Sequence, residues 1–184
     1  AGAVLAGLTA AIEAAHLGSS VLLFDARREI GGRARTRTRD GYLLNEGPHA
    51  LTLDGAAMSW LTELGCAPSG GSPDAGAGSG VDGPRVGRFP ANAWGLFRTP
   101  LLRGARIAAA RWLAGLGRLD PARFGERTGA EWIAGSLGDG RAARFAHALV
   151  RLSTYSNDPA HASADAAIEQ LQLTKNGGVR YVAG

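Results

Sequence analysis

The chain holds one cysteine, Cys66. An internal disulfide is therefore impossible, a disulfide scaffold is excluded, and a reducing, cytoplasmic-type compartment is the expectation. No run of eighteen apolar residues occurs, so no transmembrane helix is predicted. There is no initiator methionine, and no charged segment precedes an apolar core, so no secretory signal is read. One cysteine and the scattered histidines His16, His49, His147 and His161 make no zinc set, and no metal is expected. Ser153 lacks the G-x-S-x-G elbow, which removes a hydrolase of that type.

The 184 residues suit one domain, or one domain and part of another. Hydrophobic residues make up 45% and charged residues 20%, which excludes collagen and long disorder. The net charge is +4, and only Lys175 among the basic residues is lysine. The arginines spread from Arg27 to Arg180, with one dense group at Arg27, Arg28, Arg33, Arg35, Arg37 and Arg39. That spread reads as a compositional bias, and no nucleic-acid partner is expected. Trp60, Trp94, Trp112 and Trp132 are spaced as separate core or interface anchors, not as a platform for stacking bases.

Residues 1–18 place Leu5, Leu8, Ala11, Ile12 and Ala15 at helical spacing, with Gly18 as the stop. Val21-Leu22-Leu23-Phe24 is a continuous apolar run that predicts a parallel strand covered on both faces. Together they read as the second half of a βαβ unit. Asp40-Gly41 predicts a hairpin turn between 34–38 and 42–45. A helix is predicted over 54–64, with Asp54 as N-cap and Gly65 as stop. Residues 67–84 read as a surface loop, and a short hairpin is expected around 90–93. Helices follow near 101–117, 128–138, 140–152 and 163–173, and a strand near 178–182. Ile107, Ala110, Leu113 and Ala114 share one apolar face of the first of these. Leu101, Leu102, Ile107, Trp112 and Leu113 offer an apolar entrance, a membrane-surface contact or ordinary core packing, and core packing is the preferred reading.

The chemistry sits in the front of the chain. Gly2 and Gly7 open the first helix, and Val4, Leu5 and Ala6 lie between them. A helix start gathers unpaired N–H groups that bind phosphate. Asp25 stands 18 residues after Gly7, at the end of the predicted strand, with Ala26 and Arg27 beside it. An acid there hydrogen-bonds the ribose of a dinucleotide. Counted back from Gly7, G-x-G-x-x-G places its second glycine on Val4, whose side chain would crowd a pyrophosphate. A glycine immediately before Ala1 with a longer turn is the alternative.

The segments AGAVLAGLTAAIEAA and VLLFDARREIGGRARTRTRDGYLLNEGPHAL resemble the start of flavin amine oxidase and phytoene desaturase-like proteins. The more discriminating part is Gly31-Gly32-Arg33-Ala34-Arg35. The resemblance implies FAD as cofactor, with Gly31, Gly32 and Arg33 along its ribityl and pyrophosphate and Gly47, Pro48 and His49 toward the flavin. By itself a lone histidine after Gly-Pro reads as structural rather than catalytic, and no catalytic residue is assigned. Residues 151–159 and 177–184 are similar to desaturase-like members.

The expected fold is α/β: a Rossmann-like FAD-binding domain with an inserted, mainly helical substrate domain, truncated at both ends. The expected divisions are 1–66 for the FAD-binding portion, 67–98 for loop and hairpin, and 99–184 for the helical portion. As an internal piece of a longer protein, the chain is expected to be poorly soluble alone. The expected function is a FAD-dependent oxidoreductase acting on a hydrophobic, isoprenoid-like small molecule, cytoplasmic with peripheral membrane association as the alternative. A flavin amine oxidase, a FAD-dependent isomerase and a degenerate flavoprotein are the alternatives. A plain NAD-binding dehydrogenase is weaker because it leaves Gly31-Gly32-Arg33 unexplained.

Overall fold

The computed structural model describes residues 4–74, 76 and 78–183, so Gly2 of the glycine turn and Gly184 lie outside the described residues. In chain order the elements are α1 (Leu5–His16), β1 (Thr36–Arg39), β2 (Tyr42–Asn45), β3 (Ala50–Thr52), α2 (Ala56–Glu63), β4 (Gly70–Gly71), β5 (Ser79–Asp82), β6 (Arg85–Arg88), α3 (Ala93–Arg98), α4 (Arg106–Leu116), α5 (Gly129–Leu137), α6 (Arg141–Thr154), α7 (Ala164–Gly177) and β7 (Val179–Val182). The chain is thus mixed α/β. It divides into two compact units, one of residues 1–51, 68–71 and 181–184, the other of 52–67 and 72–180.

The first unit contains α1, the β1–β2 hairpin and β4, which pairs antiparallel with the end of β7, Gly70 opposite Val182 and Gly71 opposite Tyr181. Helix α1 forms where the spacing predicts it. It ends on Gly18, whose φ of +81° favours a residue without Cβ. The hairpin also forms as predicted. Asp40 and Gly41 take φ of +53° and +80°, the two left-handed positions of a two-residue turn. That turn sets the register, Thr36 opposite Asn45 and Arg39 opposite Tyr42. The predicted strand at Val21–Phe24 is not formed. The segment has no strand neighbour among the described residues to exchange backbone hydrogen bonds with, and Phe24 is 76% exposed.

The second unit is a helical assembly with two buried clusters. In one, Leu116, Trp132, Ile133, Val150, Ile168 and Leu171 meet between α4, α5, α6 and α7. Ala143, Ala146, Ala164 and Ala167 lie in the same cluster and let α6 and α7 approach closely. Trp112 and Trp132 stack at 5.3 Å, with Phe124 edge-on at 6.5 Å, so these tryptophans share one core instead of anchoring separately. The other cluster joins Leu96, Leu102, Ala109, Ala142 and Phe145. Helix α5 starts on a capping box. Thr128 Oγ1 accepts from Glu131 N–H at 3.2 Å, and Glu131 accepts from Thr128 N–H at 2.8 Å.

Four local expectations are corrected. Helix α2 begins one residue after Gly55, and Asp54 makes no cap; its carboxylate instead lies against Gly177, where an added Cβ would stand 2.5 Å from it. The 67–84 segment is not all loop, since β4 and β5 lie within it. The hairpin turn falls on Gly83-Pro84, while residues 90–93 lead into α3, whose N-cap Asn92 accepts from Gly95 N–H at 2.8 Å. On α4 the buried face is Ala109 and Leu116, and Ile107 and Ala114 are exposed. Leu101 and Leu102 are buried, as core packing predicts.

Ile133 is fully buried in the larger cluster. Ile133→Ala is expected to lower the unfolding free energy of this unit by about 2–5 kcal/mol. The check is the denaturant midpoint followed by tryptophan emission, with the slope unchanged.

Candidate functional site

The start of α1 and the segment 25–34 enclose an open cleft of about 600 Å³. Its lining is Val4, Leu5, Ala6, Asp25, Arg27, Glu29, Gly31, Gly32, Arg33 and Ala34. One wall is the first turn of α1. Val4 is its N-cap, at φ −91° and ψ 172°, and no side chain caps the turn. The amides there keep their positive end of the helix dipole directed out of the helix start. The extended backbone of Val4 is ordinary for a β-branched residue, so valine brings no backbone strain.

The opposite wall is a glycine turn. Gly31 and Gly32 take φ of +99° and +56°, then a short 3₁₀ turn runs over Gly32–Ala34. It is closed by Ala34 N–H donating to Gly31 C=O at 3.1 Å. Val4 and Gly31 form an isolated parallel bridge. A Cβ at Gly32 would lie 2.6 Å from Val4 Cγ1. Gly32 is thus required twice, by its left-handed backbone and by the valine packed over it. Asp25 faces the same cleft, where its Oδ1 accepts from Arg27 N–H at 2.8 Å. Arg33 is exposed and makes no ion pair among the described residues.

Arg35 follows a different course from Arg33. Its side chain is only 15% exposed. Nε and Nη2 donate to the two oxygens of Glu46 at 3.0 and 2.9 Å, a bidentate pair. Its Nη1 pairs with Glu29, and Arg37 joins Glu46 from the other side. The Arg35 hydrogen bonds, aided by the positive charges of Arg35, Arg37 and Arg27, hold the Glu46 carboxyl below its usual range against the opposing effect of burial. Arg35 is committed to carboxylates and is not available to a phosphate. Glu46 N–H donates to Arg35 C=O at 2.9 Å, and Gly47 follows directly against Arg33, where a Cβ would stand 2.7 Å from Arg33 O. The pair therefore braces the glycine turn from behind.

The structure gathers Val4, Leu5, Ala6, Asp25, Arg27, Gly31, Gly32 and Arg33 of the predicted site in one lining. Gly7, Ala26, Gly47, Pro48 and His49 are not in that lining. Gly7 is the third residue of α1. His49 is half-buried, its backbone C=O accepts from Val182 N–H at 2.7 Å, and its Nε2 is buried with no hydrogen-bond partner among the described residues. Sequence reasoning missed Glu29, Ala34 and the Arg35–Glu46 pair. The signal for that pair was present. A two-residue turn at Asp40-Gly41 places 36 opposite 45, and one step further places 35 opposite 46. No group of three or more metal-ligating side chains occurs among the described residues.

The lowered Glu46 pKa gives a signed prediction. A carboxyl depressed in the folded state stabilises fully above its unfolded value, near 4.5, and loses that contribution as pH falls through its lower native value. Glu46→Gln is expected to be less stable than the unaltered protein at neutral pH, with the difference closing in acid. Hydrogen exchange at the residue 46 amide in both proteins across that range checks it; a difference independent of pH is the contrary result.

One comparison with known proteins places this geometry. Residues 1–64 match the model of the NAD(P)-binding Rossmann-like domain, which indicates a dinucleotide cofactor and points to a dinucleotide-binding oxidoreductase. No curated protein and no solved structure matches the chain.

Proposed function

We propose that the protein is a FAD-dependent oxidoreductase of the desaturase or dehydrogenase type, acting on an apolar, isoprenoid-like substrate. The observation that carries the FAD reading is the Gly31-Gly32-Arg33 turn, set against the start of α1 in one cleft with Asp25. The residues present fit a dinucleotide: uncapped first-turn amides and an unpaired Arg33 for the pyrophosphate, and an acid for a ribose hydroxyl pair. A bound flavin would supply the hydride acceptor. The chain's own part is to orient it: Asp25 holds the ribose, Arg33 and the α1 amides hold the diphosphate, and Gly32 keeps the backbone close. The substrate class rests on the desaturase-like resemblance of residues 151–159 and 177–184.

A second reading, NAD(P) in the same cleft, is favoured by the family model matched over residues 1–64. The two separate in one experiment. The purified protein is expected to show oxidised-flavin absorption, or to acquire it on adding FAD, and to release FAD on denaturation. Asp25→Ala is expected to weaken FAD binding about tenfold, the loss of one or two hydrogen bonds to a charged acceptor. A colourless protein that quenches NAD(P)H but ignores FAD establishes the second reading. Binding of neither overturns both.

A further inference from the structure

The cleft at the start of α1 is lined by two acids, Asp25 and Glu29, and two arginines, Arg27 and Arg33. Their charges cancel, and a lining of zero net charge offers an anionic diphosphate no overall attraction. Asp25 has a use there, since an acid at that place meets a ribose. Glu29 has none: it is a carboxylate in the wall of a cleft that suits an anion. The same residue lines a second open cleft, of about 680 Å³, behind the glycine turn. Arg35 and Arg37 belong to that rear lining and not to the front one. Glu29 thus stands in the wall between two clefts, and Arg35 reaches it from the rear.

The pairing behind the wall is uneven. Arg35 gives Nε and Nη2 to Glu46 and its remaining Nη1 to Glu29. Glu46 has a second arginine, Arg37, whereas Glu29 has no ion pair but Arg35 among the described residues. Loss of Arg35 would therefore leave Glu46 still paired and Glu29 alone, its full charge facing the front cleft. Charge is felt through the wall. The Glu46 hydrogen bond leads the causes that raise the Arg35 guanidinium above its usual range, and the charge of Glu29 adds to it. Arg27 of the front lining is in turn among the charges that lower the Glu46 carboxyl behind it.

We propose that Arg35 is a positioning residue for the diphosphate: acting through Glu29, it holds that carboxylate from the rear and cancels its charge, so that Arg27 and Arg33 outweigh Asp25 in the front cleft. Arg35 itself touches no ligand. Glu29 opposes the anion, and Arg35 limits that opposition. The inference rests on the dinucleotide reading of the cleft, but not on which dinucleotide binds. The Glu29 side chain is 66% exposed, so solvent screens its charge and the effect is severalfold rather than of many orders. The direction is what separates this role from others. If Glu29 held a ribose, its removal would weaken binding; if Arg35 only braced the glycine turn, the charge at 29 would be irrelevant.

The test is calorimetric titration of the full chain with FAD, NADPH and inorganic pyrophosphate, at low and at raised salt. Glu29→Gln is expected to bind the ligand about threefold more tightly than the unaltered protein. Arg35→Gln is expected to bind about tenfold more weakly. Adding Glu29→Gln to Arg35→Gln is expected to recover most of that loss, and the gap between the single and double variants is expected to close as salt rises. Arg39→Gln removes the same charge from the same hairpin, outside both linings, and is expected to change binding less than about twofold. Circular dichroism establishes that each variant is folded; if Arg35→Gln is not, the sign of the Glu29→Gln effect decides alone. Unchanged or weaker binding in Glu29→Gln, a double variant no tighter than Arg35→Gln, or an equal loss in Arg39→Gln would each overturn the proposal while leaving the dinucleotide reading intact. Pyrophosphate affinities in the expected order, with no binding of FAD or NADPH, would support the role of Arg35 and overturn the dinucleotide reading. Binding of none of the three overturns both.

Discussion

The first unit buries no large apolar side chain among its described residues, so its cleft cannot be held by a hydrophobic core. What holds it is a hairpin register and the ion pair that the register creates. Two left-handed residues at Asp40 and Gly41 fix which residues face each other across β1 and β2. One step beyond the strands this brings Arg35 to Glu46 in a bidentate pair that also reaches Glu29 and Arg37. Surface ion pairs usually stabilise little. Here three features raise its weight: a half-buried carboxylate, a planar two-point match and a backbone hydrogen bond between the same two residues. The segments it ties, 29–35 and 46–47, are those that shape the back of the glycine turn.

The legible parts of the chain were those fixed by local chemistry. The Asp40-Gly41 turn, the stops at Gly18 and Gly65, and α4 to α7 follow from turn residues and helical spacing, which act within a few positions. The Gly31-Gly32-Arg33 turn and Asp25 were legible as a constellation because the backbone demands glycine there. What failed depended on distant partners. Val21–Phe24 has a strand's composition, but a strand needs a neighbour and none lies beside it among the described residues. Asp54 has an N-cap's composition, but its carboxylate lies at Gly177 across the sequence. The apolar face of α4 was displaced because Ala109, a small residue, takes the buried position and Ile107 is left outside. Hydrophobicity alone ranks those two the other way.

Charge is unevenly distributed along the chain. Around the cleft, arginines and carboxylates are interleaved: Arg27 and Arg33 among Asp25 and Glu29. That mixture suits a ligand with both a diphosphate and ribose hydroxyls, since each end finds its complement. Along the sequence the signs separate in longer runs: residues 40–84 hold six acids and no lysine or arginine, and residues 83–119 hold seven arginines and no acid.

Val4 joins these threads. At the position where a phosphate-binding turn places its second glycine, a valine should narrow the approach to the pyrophosphate. In the structure its backbone is unstrained, and its Cγ1 lies against Gly32, where a Cβ would stand 2.6 Å from it. The valine therefore acts as the near half of a contact whose far half must be glycine. The two substitutions are coupled: glycine at 4 would open the cleft but leave the Gly31-Gly32 turn without the side chain it rests on. A side chain at 32 would meet the valine head-on. The glycine that the turn lacks at 4 is offset by the one it cannot lose at 32.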